Sequence, residues 1–158
     1  MIKVLFVCLG NICRSPTAHG VFDGVLKREK LTSKVLVDSA GTAAWHIGKS
    51  PDERSQLAAK NRGYDLSYLS ARQVEPSDFE GFDYILAMDK SNYANLIEQS
   101  SPAFHHKIKL FLDYAQTFTE SEVPDPYYGG AKGFDRVLDL VEDACEGLLR
   151  DIRLNHDV

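Results

Sequence analysis

Cysteine is scarce in this chain. Three thiols among 158 residues, an odd number, do not make the disulfide framework of a small secreted domain and are expected to be free. Long apolar runs are missing as well. None approaches the roughly 18 residues that cross a bilayer, and Val4-Leu5-Phe6-Val7 is too short for the core of a signal peptide. The expectation is a cytoplasmic protein with no membrane contact. A surplus of positive charge is lacking, since the net charge is −5, so general binding to nucleic acid is not expected. Metal-ligand sets are poor: the five histidines contain no His-x3-His pair, and Cys8 and Cys13 lack a second pair. No metal or other cofactor is expected. Gly48-Lys49-Ser50 lacks the glycine that a nucleotide-binding loop carries five residues earlier, where Ala43 stands.

What is present is the composition of a globular protein, 44% hydrophobic and 26% charged. No low-complexity stretch, linker or repeat divides it, and residues 1–158 read as one domain. A chain of this length buries about 69% of its unfolded surface, enough for a core without staples. Charge is graded along the chain. Residues 1–34 carry six Lys/Arg against two Asp/Glu, and residues 113–146 carry two against nine. An anion site is therefore expected early and acid chemistry late, although charge blocks are also ordinary solvated faces.

Apolar runs alternate with amphipathic stretches. Ile2–Val7, Lys34–Asp38, Phe82–Met88 and Ile108–Leu112 read as strands rich in branched residues. Helices are expected after Ser15-Pro16 (an N-cap and first-turn proline), over Pro51–Arg62, from Asp89, and along the stripe from Phe134 to Ile152. The order predicts an α/β fold, a four-stranded parallel sheet with helices on both faces. In such sheets ligands bind beyond the carboxyl ends of the strands, which singles out the loop between the first strand and the first helix.

That loop is Cys8-Leu9-Gly10-Asn11-Ile12-Cys13-Arg14-Ser15. A turn of this length can aim successive backbone N–H groups at one point, and Gly10 and Asn11 are residue types that tolerate the left-handed backbone such a nest requires. The helix N-terminus adds partial positive charge, and Arg14 adds a planar fork that matches two phosphoryl oxygens. The loop suits a tetrahedral dianion. A thiol of ordinary pKa is about 3% thiolate at neutral pH, so full ionisation gains only about 30-fold. Most of any rate on a phosphate ester must come from positioning and from stabilising the equatorial oxygens. Ser15 can donate its hydroxyl to the Cys8 sulfur, or act as a plain helix cap.

The loop resembles the phosphate-binding loop of the low-molecular-weight protein tyrosine phosphatases. The likeness continues through Asp38-Ser39-Ala40-Gly41-Thr42, Ala71-Arg72-Gln73, Phe82-Asp83-Tyr84-Ile85-Leu86-Ala87-Met88-Asp89 and Asp125-Pro126-Tyr127-Tyr128-Gly129, essentially the whole chain. The resemblance implies a two-step phosphoryl transfer: Cys8 as nucleophile, Arg14 as phosphate clamp, and Asp125 as general acid and then base. Leu9, Gly10, Asn11, Ile12, Cys13 and Ser15 would complete the phosphate loop. An Asp between Pro124 and Pro126 is on its own an ordinary turn residue. Beside a Cys-x5-Arg loop it becomes the proton donor that a phenolate leaving group requires. The resemblance further implies that Trp45, Tyr127 and Tyr128 wall the substrate ring, and that Asn11 and Ser39 brace the loop from behind. It implies a tyrosine-phosphorylated protein as substrate, inorganic phosphate and other oxyanions as inhibitors, and weak self-association through the active-site rim.

One position departs from the family. Many members carry a His two residues before the Ala-Arg-Gln stretch, where it supports the loop Asn; here it is Leu69. Cys13 is either a small side chain packed under the loop or, as the resemblance implies, the partner of a reversible disulfide with Cys8. Cys145 lies on the apolar stripe of the last helix and reads as core. Arsenate reduction shares this loop but needs a relay of further thiols, and no Cys occurs between Cys13 and Cys145. The competing class is a non-catalytic, redox-gated phosphotyrosine or phosphoanion binding module. Asp125 separates the two, because binding needs no proton donor.

Overall fold

A computed structural model describes residues 1–127 and 130–158 of the chain. Its elements are β1 (Ile2–Cys8), α1 (Arg14–Arg28), β2 (Val35–Gly41), α2 (Glu53–Lys60), α3 (Pro76–Gly81), β3 (Tyr84–Ala87), α4 (Lys90–Gln99), β4 (Ile108–Leu110) and α5 (Ala131–Asn155). Short 3-10 turns precede and follow β4. The four strands are parallel in the order β2-β1-β3-β4. β1 therefore lies between two partners and is covered on both faces, which its unbroken apolar run requires.

The alternation of β1 sorts the interior into two cores. Val4 and Phe6 face α1 and α5, packing with Phe22, Val25, Val137 and Val141. Leu5 and Val7 face α3 and α4, packing with Phe79 and Leu96. The Phe6 ring meets Phe22 and Phe111 edge-on, with centroids 5.9 and 5.0 Å apart. α5 approaches the turn after β4 so closely at Gly147 that a Cβ there would lie 1.7 Å from the Tyr114 carbonyl oxygen.

The chain leaves β1 for β2 on one side and later pairs β3 on the other. This reversal opens a crevice at the carboxyl ends of β1 and β3. Cys8 ends β1, and Asp89 follows β3 as the N-cap of α4.

Several boundaries differ from the sequence reading. β2 runs on to Gly41, and α5 starts three residues before Phe134. α3 is a helix the sequence reading missed. Its capping box, Glu75 and Asp78 bonded to each other's backbone, is the signal that marks it. Ser15 is not the helix cap: α1 begins at Arg14 with Cys13 as N-cap. Pro16 fits because the first-turn amides have no intrahelical acceptor. His105 and His106 belong to the 3-10 turn before β4, where His105 Nε2 meets the carbonyls of Ile97 and Ser100 at the end of α4. No helix among the described residues is long and apolar enough to cross a membrane.

Candidate active site

Residues 8–15 wrap around the start of α1. The carbonyls of Cys8, Leu9 and Ile12 accept from the amides of Thr42, Ala43 and Asp52 at 2.9, 3.0 and 2.8 Å, and that of Cys13 accepts from Thr17 at 3.2 Å. None of these peptides is cis. In a planar trans peptide the next amide points opposite to the carbonyl, so the N–H groups of Leu9, Gly10, Cys13 and Arg14 turn inward, toward the cavity. The first turn of α1 contains no acidic side chain, and its last turn carries Lys27 and Arg28. Its positive end is left to an anion.

Asn11 holds this backbone. It is buried with φ of 56°, in the left-handed region. The Arg72 amide donates to its Oδ1 at 3.0 Å, which fixes the orientation of the side-chain amide. Its Nδ2 then donates to Ser15 Oγ at 2.7 Å. Leu69 therefore does not leave Asn11 short of partners. Gly10 does not adopt positive φ, against expectation. A Cβ there would come within 2.9 Å of the His46 ring, which would have to shift.

The Cys8 sulfur lies 3.0 Å from Ser15 Oγ and accepts from the Asn11 amide at 3.3 Å. Since Ser15 Oγ already accepts from Asn11, its own proton is available to the sulfur. Arg14 is buried, and its Nη1 donates to Asp89 Oδ2 at 2.7 Å and to the Val123 carbonyl at 3.1 Å. With Nη1 spent, Nε and Nη2 remain as the two-pronged edge that matches a phosphoryl group. Burial disfavours the Arg14 cation, but Cys8, Asp89 and Asp125 outweigh it and hold its pKa above the ordinary value. Burial pushes the Cys13 thiol up to about 12, with Asp52, Cys8 and Asp125 adding to the shift. Cys8, Cys13 and Cys145 are all free and buried.

Cys8, Leu9, Gly10, Ile12, Cys13, Arg14, Trp45, His46, Asp125 and Tyr127 line one cavity of about 270 Å³. Asn11 and Ser15 lie beneath it. Asp125 Oδ2 stands 3.9 Å from Arg14 Nη2, and its Oδ1 accepts from the Tyr127 amide at 3.0 Å. Trp45 and Tyr127 form exposed walls. Tyr128, expected as a third wall, lies outside the described residues. Ser39 Oγ meets His19 Nδ1 at 2.9 Å, joining β2 to α1.

Three participants escaped the sequence reading. Asp89 orients Arg14 from 75 positions away, signalled only by its place just after the third strand. His46 covers Gly10, and its neighbour Trp45 was the available cue. Arg72 offers its amide to Asn11 while its guanidinium bridges Asp38 and Asp78 at 3.0 and 2.9 Å.

A family model described as low molecular weight phosphotyrosine protein phosphatase matches residues 3–158. The low molecular weight protein-tyrosine-phosphatase YfkJ of Bacillus subtilis is 42% identical over 97% of each chain. A low molecular weight phosphotyrosine protein phosphatase of Schizosaccharomyces pombe is 42% identical over 96% of this chain and 97% of its own. A crystal structure of a protein tyrosine phosphatase from Entamoeba histolytica superposes with a TM-score of 0.96 at 46% identity, covering 98% of this chain and 99% of that one.

Proposed function

The chain belongs to the low molecular weight phosphotyrosine protein phosphatase family, and on that premise we propose that it hydrolyses phosphotyrosine and small aryl phosphates through a phosphocysteine. The observation that carries this reading is the sharing of one cavity by Cys8, the Arg14 edge and Asp125. The Cys8 thiolate attacks phosphorus in line with the ester oxygen. As the P–O bond breaks, Asp125 gives its proton to the departing phenolate, a poor leaving group with pKa near 10. Arg14 and the inward amides hold the three equatorial oxygens. Water then attacks phosphorus and loses a proton to Asp125. The S–P bond breaks, Ser15 donates to the returning thiolate, and inorganic phosphate leaves.

The walls explain the choice of an aryl ester. Trp45, Tyr127, His46 and Leu9 surround the mouth above the loop, so a phosphate on a long flat ring reaches Cys8 while the ring buries apolar surface. A phosphoserine lacks that reach. The substrate is accordingly a tyrosine-phosphorylated protein, with inorganic phosphate and oxyanions as competitive inhibitors. Exposed Leu9, Trp45, Ile47 and Tyr127 support weak self-association at the same rim, which substrate would oppose. Three free thiols fit a reducing compartment such as the cytoplasm. A peroxide would oxidise Cys8 to a sulfenic acid, and Cys13 would displace water from it to give a reversible disulfide.

The test compares p-nitrophenyl phosphate, a phosphotyrosyl peptide and a phosphoseryl peptide, each with and without EDTA. Turnover of the first two, unaffected by chelator, is expected. Comparable phosphoseryl turnover, or loss of activity in EDTA, would contradict the proposal.

A further inference from the structure

Arg54 is not among the residues that line the catalytic cavity, yet its guanidinium lies against Tyr127, one of the cavity's walls. We propose that Arg54 is a positioning residue that ties the segment carrying Asp125 to the phosphate loop. The inference rests on the reading of Asp125 as the proton donor.

The chain of contacts starts in the loop. The Asp52 amide donates to the Ile12 carbonyl at 2.8 Å, so the start of α2 is fixed to the loop's outer side. The Asp52 carboxylate caps α2, accepting from the amides of Arg54 and Ser55 at 2.8 and 3.4 Å. The same carboxylate takes the Arg54 guanidinium in a fork, Nε to Oδ1 at 3.2 Å and Nη2 to Oδ2 at 3.0 Å. An arginine this near a helix start is ordinarily free to extend into water. Here the fork folds it back and sets the plane of the guanidinium.

That plane faces two rings. The guanidinium carbon lies 4.8 Å from the Phe134 centroid and 5.2 Å from that of Tyr127. Phe134 is buried at the start of α5 and serves as a fixed platform; Tyr127 is a partly exposed wall of the cavity. The Tyr127 amide in turn donates to Asp125 Oδ1 at 3.0 Å. The sequence of contacts is thus loop, Asp52, Arg54, Tyr127, acid. A plain surface ion pair accounts for the Asp52 fork, but not for two rings placed against the cation. A cation recruited only to meet acidic residues of a substrate needs no such ring contacts and would work equally well as lysine.

The experiment is a double-mutant cycle between Arg54→Gln and Asp125→Asn, with Arg54→Lys as a second variant. Each is assayed on phenyl phosphate (a poor leaving group) and p-nitrophenyl phosphate (a good one), with inhibition by inorganic phosphate as the readout of the loop. Misplacement of the acid lowers kcat on phenyl phosphate by about tenfold or more, with a smaller loss on p-nitrophenyl phosphate and phosphate inhibition unchanged. Arg54→Lys is expected to behave like Arg54→Gln, because the plane is lost though the charge remains. In the Asp125→Asn background Arg54→Gln should change kcat by less than about twofold. An equal loss in both backgrounds, wild-type kcat in Arg54→Gln, or full rescue by lysine would overturn the role of Arg54 while leaving the acid intact. Wild-type rates in Asp125→Asn would overturn the acid, and this inference with it.

Discussion

The loop from Cys8 to Ser15 and the segment from Val123 to Tyr127 face each other across one cavity, yet they are held in different ways. In the loop Ser15 and Arg14 are 0% and 4% exposed, and four carbonyls and the Asn11 side chain are pinned from outside. In the opposite segment the Asp125 side chain is 42% exposed and Tyr127 is 40% exposed. Its contacts with the rest of the protein include Val123, whose amide donates to Met88 and whose carbonyl takes Arg14, Asp125 beside Arg14, and the Arg54 stack. The contrast matches what the proposed reaction asks of each part. Stabilising charge in flight requires donors already fixed, since any reorganisation is added to the barrier. A proton donor must exchange with water, so its carboxyl cannot be sealed in. Rigidity belongs to the phosphate grip and access to the acid.

Substitutions on the two sides should therefore differ in kind. The largest effect is expected for Cys8→Ser, which should lower turnover by about 10⁴-fold or more while inorganic phosphate still binds. Turnover near wild type would remove Cys8 from the chemistry. Next comes Asp125→Asn. The expected loss is about 10²–10⁴-fold on leaving groups of high pKa, shrinking as the leaving group improves. A uniform loss across a series of substituted phenyl phosphates would count against proton donation. Arg14→Lys should cost about 10²–10³-fold regardless of leaving group, since it weakens the grip on the equatorial oxygens. Dependence on the leaving group would blur the division between the two sides.

The smallest effect concerns stability. Burial holds the His19 imidazole below its ordinary value of 6.5, against the pull of Asp38 and Asp23. Above that value His19 is neutral in both folded and unfolded chains. As pH falls below it, the unfolded chain takes up the proton first, so stability declines as pH drops toward the folded pKa. Each unit of depression is worth about 1.4 kcal/mol. Urea unfolding at about pH 7 and pH 5 should show a smaller loss in His19→Gln than in wild type. An identical loss would mean that other groups govern the acid limb.

Much of this arrangement was legible because it is local. The strand-loop-helix run of residues 2–28 announces itself through branched residues, a Cys-x5-Arg spacing and a helical stripe, all within one stretch of chain. The parallel sheet followed from alternation alone. What escaped detection is long-range or depends on close approach. Asp89 and Arg72 act on the loop from 75 and 61 positions away, and no periodicity reports such pairings. Gly10 was expected for its backbone freedom, but its φ is not positive, and what lies against it is the His46 ring from another loop. Ser15 looks like a cap in sequence, since serine before proline is what helix starts favour. The other role read for it, donor to the Cys8 sulfur, is the one its position fits, with Oγ 3.0 Å from that sulfur.

The central claim, that the Cys8 sulfur becomes bonded to phosphorus, has a direct measurement. The protein is mixed with a phosphotyrosyl substrate, quenched in acid within one turnover, digested and read by mass spectrometry. The account predicts a phosphoryl group on the peptide carrying Cys8, none in Cys8→Ser, and decay of the adduct as inorganic phosphate appears. Inorganic phosphate released at the full catalytic rate with no adduct on that peptide would contradict it.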